Sequence, residues 1–472
     1  MKNIKLNYTK WISKALAGSM ALSYLIATIL LLKTGLVPNK YLLVLLPITA
    51  VVVASLAYAL IKDNAKNKYK SIGLVLASIG IIAAGIYAAV FGANTYRFLN
   101  SIQDGEYTEI EYSIVAKKDS GVELKSNNSK LGYISEDTNK DAVLAEVKDR
   151  TSAAPVPYKD LANVVNALDS KKVDSDVFRS SYLQLLQDNY STFYESIRVL
   201  DTFKVRVKKD SAKAKTNVNK PFIVYISGID TYGDIASVSR SDVNILAVVN
   251  PQTKKVLLVN TPRDYYVKLN GTTGLRDKLT HAGIYGVDAS ERTLEDLYGV
   301  NINNYMRINF TSLMEIVDRI GGVEVNSDVA FKSGKYTFNQ GINQLDGKAA
   351  LEFSRNRYAF AEGDRQRGKN QQKVIEAIIN KVGRPDTIIY YQSLLSSLKG
   401  TFQTDASQAE ISAVVKQQLN SLGEWTVESV SVDGTGKLAP TYSYGSQPLY
   451  VMEPNIDTLN AAKAKIQEYL KY

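Results

Sequence analysis

The stretch "SRSDVNILAVVNPQTKKVLLVNTPRDYYV", Ser239 to Val267, holds two short apolar runs on either side of "NPQTKK". Neither run alternates cleanly between apolar and polar residues. Continuous apolar runs of this length suit strands covered on both faces. The polar, proline-containing segment between them reads as a hairpin turn, which makes the sheet mixed. "FIVYISGID" upstream and "YMRINF" downstream have the same texture, and segments with helical spacing alternate with them. Together they predict an α/β fold: an α/β/α sandwich with a mixed sheet between helix layers. Among the helices, "TSLMEIVDRIGG" should start on a capping Thr311 and stop at Gly321 and Gly322. "SQAEISAVVKQQL" carries a capping box, Ser407 with Glu410, and "IDTLNAAKAKIQEYL" predicts a last amphipathic helix.

Toward the N-terminus the texture is different. Ala15 to Leu32, Tyr41 to Ile61 and Ile72 to Gly92 are apolar stretches without a charged residue. At about 1.5 Å per residue each reaches roughly 30 Å, the thickness of a hydrocarbon core. A signal peptide is the rival reading of the first stretch, but its length and the two spans that follow favour three retained transmembrane helices. Lys2, Lys5, Lys10 and Lys14 precede the first span, and Lys62, Lys66, Lys68 and Lys70 crowd the loop between the second and third. The positive-inside rule then puts the N-terminus in the cytoplasm and everything after about residue 95 outside. Trp11 and Tyr41, near span ends, read as interface anchors.

The net charge of +10 suggests a nucleic-acid binder until it is located. Residues 1–70 hold ten Lys and one Asp, and the remaining 402 residues hold 47 basic and 46 acidic groups. The excess is an orientation device beside the membrane, and no nucleic-acid partner is expected. With no cysteine in the chain, disulfides and thiolate metal sites are excluded.

Between the spans and the α/β region, residues 98–206 read as a small α+β accessory domain. "YTEIEYSIVAK" alternates like a half-buried strand, and "DSDVFRSSYLQLLQDN" has helical spacing. "VKKDSAKAKTNVNKP" is polar and without apolar period, so residues 207–220 read as a linker. The expected organisation is a membrane anchor over 1–97, the accessory domain, the linker, and a catalytic α/β/α domain over 221–472.

Chemistry-bearing residues gather at the strand ends. Asp230 closes the first strand of the α/β region and Asp242 opens the second, so both carboxylates can meet at one sheet edge. Asp is common at turns, and neither residue marks a site alone. Paired there, the two suit Mg²⁺, which takes oxygen ligands and shares its shell with phosphate and water. Arg263 follows the next strand. "LEFSRNRYAFAEGDRQRG", Leu351 to Gly368, adds Arg355, Arg357, Arg365 and Arg367, in a chain with only 16 Arg among its 57 basic residues. Arg forks match phosphate oxygens in a way that Lys does not. Arg355 and Arg357 are two apart, so an extended segment would project both to one side. Arg367 and Gln371 are four apart on an expected helix whose N-cap is Asp364. Positive charge in a first helical turn opposes the helix dipole, which points to a bound anion there. Several arginines and one divalent ion fit a diphosphate better than a single phosphate. His281, the one histidine, shows no partner in the sequence and reads as structural.

"SGIDTYGDIASVSRSDVNILAVVNPQTKKVLLVNTPRDYYV" with "FSRNRYAFAEGDRQRGKNQQKV" resembles the LytR-CpsA-Psr family of Gram-positive cell-wall enzymes. The match runs over about residues 221–382. Three spans ahead of an accessory domain resemble the streptococcal capsule-type members, the integral membrane regulatory proteins of capsule operons. The resemblance implies a transferase that moves a glycan phosphate, for this type a capsular polysaccharide, from a polyprenyl diphosphate to peptidoglycan at the outer face of the cell membrane. It implies Mg²⁺ on Asp230 and Asp242, and a diphosphate held by Arg263, Arg355, Arg357 and Arg367 with Gln371 and Asp364 beside them. Arg240 and Arg365 also lie in the motifs. It further implies an apolar interior that takes the lipid tail, and other capsule-assembly proteins as partners. Three other readings stay open: hydrolysis of the same diphosphate, a scaffold without turnover, and a DNA-binding regulator. The last is disfavoured, because no segment expected in the cytoplasm can hold a helix-turn-helix.

Overall fold

A computed structural model of the chain describes residues 2–63, 68–101, 107–126, 128–208, 216–229, 239–272, 276–384, 402–421 and 423–471. Two compact units divide the chain. One comprises Met1–Gln103, Asn380–Lys399 and Ala406–Glu424; the other comprises Asp104–Ile379, Gly400–Asp405 and Trp425–Tyr472.

The first unit is built on three helices, α1 (Lys2–Thr34), α2 (Asn39–Lys62) and α3 (Lys68–Ser101). Within them Lys10–Thr34, Asn39–Lys62 and Tyr69–Arg97 are long and apolar enough to cross a membrane. Their large side chains face outward, as Leu43, Val51 and Leu76 do. That is the arrangement of helices whose solvent is lipid. What lets α1 and α3 approach is small residues. A Cβ on Gly85 would stand 2.8 Å from Ser23 Oγ, and one on Gly92 would stand 3.0 Å from Leu30 Cβ. Trp11 and Tyr41 are exposed.

The second unit opens with a five-stranded sheet. Its elements are β1 (Tyr107–Lys117), β2 (Lys130–Ile134), α4 (Lys140–Arg150), β3 (Ala154–Tyr158), α5 (Leu161–Asp169), β4 (Ser175–Arg179), α6 (Tyr182–Asn189), α7 (Ser191–Ser196) and β5 (Ile197–Lys208). The strand order is β3-β2-β4-β1-β5. Three expectations change here. β1 is not half-buried: Tyr112 to Ala116 are all buried, because β1 is flanked by β4 and β5 and covered on both faces. "DSDVFRSSYLQLLQDN" is a strand followed by a helix. Val177 and Phe178 are strand formers in the middle of the sheet, and only Tyr182, Leu185 and Leu186 carry the helical stripe. β5 also continues to Lys208, paired with Tyr107, two residues into the expected linker.

A six-stranded mixed sheet follows. Its strands are β6 (Phe222–Ile229), β7 (Ser241–Asn250), β8 (Lys255–Asn260), then β11 (Asn304–Ile308), β16 (Phe402–Thr404) and β17 (Thr426–Ser431), in the order β16-β11-β6-β7-β8-β17. The short pairs β9 (Tyr266–Val267) with β10 (Asp277–Lys278), β12 (Val323–Ser327) with β15 (Gly341–Leu345), β13 (Phe331–Ser333) with β14 (Tyr336–Phe338), and β18 (Gly434–Thr441) with β19 (Gly445–Pro454) lie outside it. The hairpin read from "NPQTKK" is β7-β8, antiparallel, with Lys254 in the left-handed region at φ 52°. β6 with β11 and β8 with β17 are parallel.

Helices cover both faces: α8 (Val287–Tyr298), α9 (Phe310–Arg319), α10 (Gly347–Arg355), α11 (Asp364–Val382) and, last in the chain, α13 (Ile456–Tyr469). Leu246 and Val248 of β7 pack in one core with Leu294 of α8 and Ile466 of α13. Ile245 and Ala247 pack in the opposite core with Ile375 and Ile379 of α11. The continuous apolar runs therefore serve two cores, and the fold is the expected α/β/α sandwich. α9 is capped by Asn309, with a capping box to Ser312, and not by Thr311. Asn309 lies two residues upstream and accepts from the Ser312 amide, so the helix begins at Phe310 and Thr311 falls in its first turn. Gly321 and Gly322, at φ 78° and 81°, end the turn as read.

The remaining helix, α12 (Gln408–Asn420), carries the Ser407/Glu410 capping box and belongs to the first unit. Ser412 Oγ donates to Thr34 O at 2.8 Å, and Lys40 Nζ donates to Asn420 O at 3.1 Å. The helix thus closes over the turn between α1 and α2.

Candidate active site

β7 and β8 are antiparallel, with Ile245 opposite Asn260, so the start of β7 and the end of β8 meet at one sheet edge. Asp242 is the second residue of β7, and Arg263 lies just beyond β8. Arg263 Nη1 donates to Asp242 Oδ2 at 2.5 Å, and Thr280 Oγ1 donates to Asp242 Oδ1 at 2.8 Å. The Asp242 side chain is 9% exposed and that of Arg263 is 17% exposed. Charges so placed are weakly screened, and each fixes the other.

α11 supplies the opposite wall. It is seated by residues that carry no charge. A Cβ on Gly368 would meet Asn260 Nδ2 at 2.3 Å, so glycine is what lets the helix lie on the end of β8. Gln372 Nε2 donates to Leu258 O at 2.9 Å and to Val430 O at 2.7 Å. Asn370 Nδ2 donates to Phe353 O at 3.2 Å, which ties α11 to α10. Asp364 is the first helical residue rather than the cap: Arg367 N donates to Gly363 O, so the chain enters the helix through Gly363, whose φ is 53°. Arg367 Nη2 lies 2.6 Å from Asp364 Oδ1, and Arg367 Nε is buried with no hydrogen-bond partner among the described residues. Such a donor fits an anion.

Two cavities open around these groups. A smaller one of 180 Å³ is lined by Asp242, Arg263, Asp364, Arg365, Arg367 and Gln371. A larger one of 440 Å³ shares Asp242, Arg263, Arg367 and Gln371 and adds Arg240, Arg355 and Arg357. Five arginines against one aspartate give the larger cavity an excess of four positive charges, which suits a multiply charged anion. The rest of its wall is largely apolar, with Ile229, Val243, Ile308, Phe310, Leu351 and Val374.

Arg355 and Arg357 do reach one cavity, but not along an extended strand. Arg355 ends α10 and only Asn356 is extended, because the apolar face of "AALEF" completes a helical turn against α9. The Arg355 guanidinium lies 4.1 Å from the centroid of the Phe310 ring. Arg357 Nη2 donates to Tyr358 OH at 2.8 Å. Arg365 is held away from the larger cavity: its Nε lies 2.8 Å from Asp433 Oδ1 and its Nη2 donates to Gly434 O at 2.7 Å. It fastens α11 to the start of β18. Asp230 lies outside the described residues. His281 Nδ1 is 2.6 Å from Asp277 Oδ1, and Asp277 Oδ2 accepts from Ser443 N, so the histidine is a buried structural link.

Burial raises the Asp364 carboxyl above its usual range. Arg367 works in the opposite direction, Asp264 adds to the rise, Arg263 opposes it, and Asp242 adds again. Among the described residues no group of three or more His, Cys, Asp or Glu side chains could hold a metal ion. Mg²⁺ commonly binds through one or two carboxylates with phosphate and water completing its shell, so a site centred on Asp242 fits that ion by its donor chemistry. Thr280 and Asn260 carried no signal in the sequence; both are ordinary polar residues that matter only because the fold brings them to this edge.

An arginine-lined cavity at the strand ends of an α/β/α sandwich marks an anion-binding protein, and comparison with known proteins makes the class specific. Residues 190–464 match the LytR_cpsA_psr family. The chain belongs to the LytR-CpsA-Psr family. It is 37% identical over 239 residues to the polyisoprenyl-teichoic acid–peptidoglycan teichoic acid transferase TagU of Enterococcus faecalis, covering 50% of this chain and 78% of that one. It is 32% identical over 256 residues to TagU of Bacillus cereus, covering 53% and 83%. The crystal structure of B. subtilis TagV superposes with a TM-score of 0.46 at 25% identity, over 54% of this chain and 98% of that one.

Proposed function

We propose that this chain is a glycopolymer–peptidoglycan phosphotransferase. The observation that carries the reading is the gathering of Asp242, Arg263, Arg355, Arg357, Arg367 and Gln371 around one cavity with an apolar wall. A polyprenyl diphosphate has the matching form, with two adjacent phosphoryl groups and a hydrocarbon tail. The arginines bind and orient the diphosphate, and the apolar wall takes the first isoprene units and excludes water. A sugar hydroxyl of peptidoglycan attacks the phosphorus bonded to the glycan. One P–O bond forms, the bond to the bridging oxygen breaks, and polyprenyl phosphate leaves. Asp364 accepts the hydroxyl proton or, if the proton leaves through solvent, orients Arg367. Asp242, with Asp230, would hold Mg²⁺, which when bound supplies charge neutralisation at the diphosphate. Arg263 aims Asp242 through their hydrogen bond.

Three spans and an accessory domain resemble the capsule-type members, so the glycan proposed is capsular polysaccharide. The topology proposed puts the site at the outer face, where lipid-linked donor and wall acceptor meet. Because the chain lacks cysteine, single cysteines test this directly. Asn39→Cys should react with a membrane-impermeant maleimide in intact cells, and Asp63→Cys only after permeabilisation. The reverse pattern would invert the topology.

Turnover is tested with the purified full chain, a polyprenyl-diphosphate-linked glycan, Mg²⁺ and peptidoglycan. Wall-linked glycan with released polyprenyl phosphate is the expected result. Free glycan phosphate alone would make the enzyme a hydrolase, and no change in either would leave a scaffold. Arg355→Lys keeps the charge but loses the fork and the flat face over Phe310, so kcat/KM should fall roughly 10-fold or more. An unchanged value would reduce Arg355 to a point charge.

A further inference from the structure

A third cavity, of 860 Å³, lies between the five-stranded sheet and the six-stranded sheet, and both of its walls belong to the same compact unit. We propose that this groove binds a saccharide chain, the glycan of the donor or of the acceptor; this rests on the transferase reading above and extends it to a second subsite.

Charge excludes the simpler ligands. Five carboxylates and five cations line the groove, so its field favours neither an anion nor a cation, in contrast to the diphosphate cavity. An apolar tail is excluded by the same lining. A polar, nearly neutral chain remains. The aromatic content points to pyranose rings, whose C–H faces pack on aromatic faces while their hydroxyls meet polar neighbours. Tyr285 and Tyr442 line the groove with ring centroids 6.1 Å apart, and both are half-buried. Their surroundings are fixed in advance. Arg179 lies 5.3 Å from the centroid of the Tyr285 ring, and Asp137 holds the guanidinium by two bonds of 3.1 and 3.0 Å. A platform held by a buried ion pair loses little entropy when a ligand settles on it.

Position ties the groove to the reaction. Ser239 lines the groove and Arg240 lines the diphosphate cavity; Arg307 lines the groove and Ile308 lines the diphosphate cavity. Consecutive residues of a strand face opposite sides, so the end of β11 is a wall one strand thick between the two sites. A saccharide in the groove would be held next to the site where its lipid-linked partner is cleaved. This gives the accessory sheet a role: it supplies half of the groove.

The test uses the detergent-solubilised full chain and two probes, a peptide-free GlcNAc–MurNAc tetrasaccharide for the acceptor and an oligosaccharide cut from capsular polysaccharide for the donor. Binding is read by calorimetry, and polyprenyl diphosphate binding is read in parallel. At least one saccharide should bind. Tyr442→Ala should weaken it roughly 10-fold, Tyr442→Phe should retain it, and both should bind the lipid diphosphate as the unaltered chain does. Asn270→Ala, at a second lining position, should weaken the saccharide severalfold and covers the case of a misfolded Tyr442→Ala. Absence of binding by both saccharides, equal binding to Tyr442→Ala, or tighter binding of a stem pentapeptide overturns the proposal. Tyr442-dependent saccharide binding without lipid binding would uphold the groove and remove the transferase reading.

Discussion

Asp242→Ala should lower the single-turnover rate of glycan transfer by roughly 10²- to 10³-fold, the cost of removing one preorganised charge from a transition-state site. Asp242 accepts from Arg263 and from Thr280, so its loss changes two neighbours as well as the proposed metal site. Arg263 Nε also lies 3.9 Å from Asp264 Oδ1. A long contact of that kind aims a guanidinium poorly. Thermal melting separates the chemical loss from unfolding. Asp242→Asn keeps the shape and can keep the Thr280 contact, so it should retain more of the melting temperature while losing nearly as much rate. Wild-type turnover in either variant would remove Asp242 from the mechanism.

Arg367→Ala should cost roughly 10- to 150-fold in rate, the equivalent of one charge-assisted contact of about 1.5 to 3 kcal/mol. The more diagnostic effect is on pH dependence. Burial raises the Asp364 carboxyl, and Arg367 is the largest influence holding it down. If Asp364 accepts a proton, the rate falls as pH drops through this raised value. Removing Arg367 raises the carboxyl further, so the acid limb of the pH–rate profile should move to higher pH; in Asp364→Asn it should disappear. Stability runs the opposite way to the rate. A carboxyl with a raised folded pKa gives its full stability below the unfolded value and loses it as pH rises through the folded value. An acid limb that stays in place in Arg367→Ala would leave Asp364 as an orienter only.

The sheet and its two covered faces were legible because residues 245–249 of β7 and 256–259 of β8 are apolar without a gap, a pattern that suits strands covered on both faces. The three spans were legible for a similar reason, since length and the absence of charge define them. Where the chain had a choice of local partners, reading failed. Asn309 and Thr311 both cap well, and the reciprocal bonds between Asn309 and Ser312 fix the earlier start. Val177 and Phe178 sit in a stretch whose spacing suits a helix, yet central pairing with β1 and β2 made it a strand. At the site, residue type announced the arginines. The seat of α11 on Asn260, Leu258 O and Val430 O was not announced, because it depends on Gly368 and Gln372, which look ordinary in sequence. Arg365 looked like its neighbours and is instead turned to Asp433.

The most direct measurement is a structure of the purified chain with polyprenyl diphosphate and Mg²⁺. The account predicts the two phosphoryl groups within hydrogen-bonding distance of Arg263, Arg355 and Arg367, with the isoprene chain against Ile308, Leu351 and Val374. A diphosphate bound elsewhere on the protein, or a cavity that takes the tail while the phosphates face away from these arginines, would contradict it.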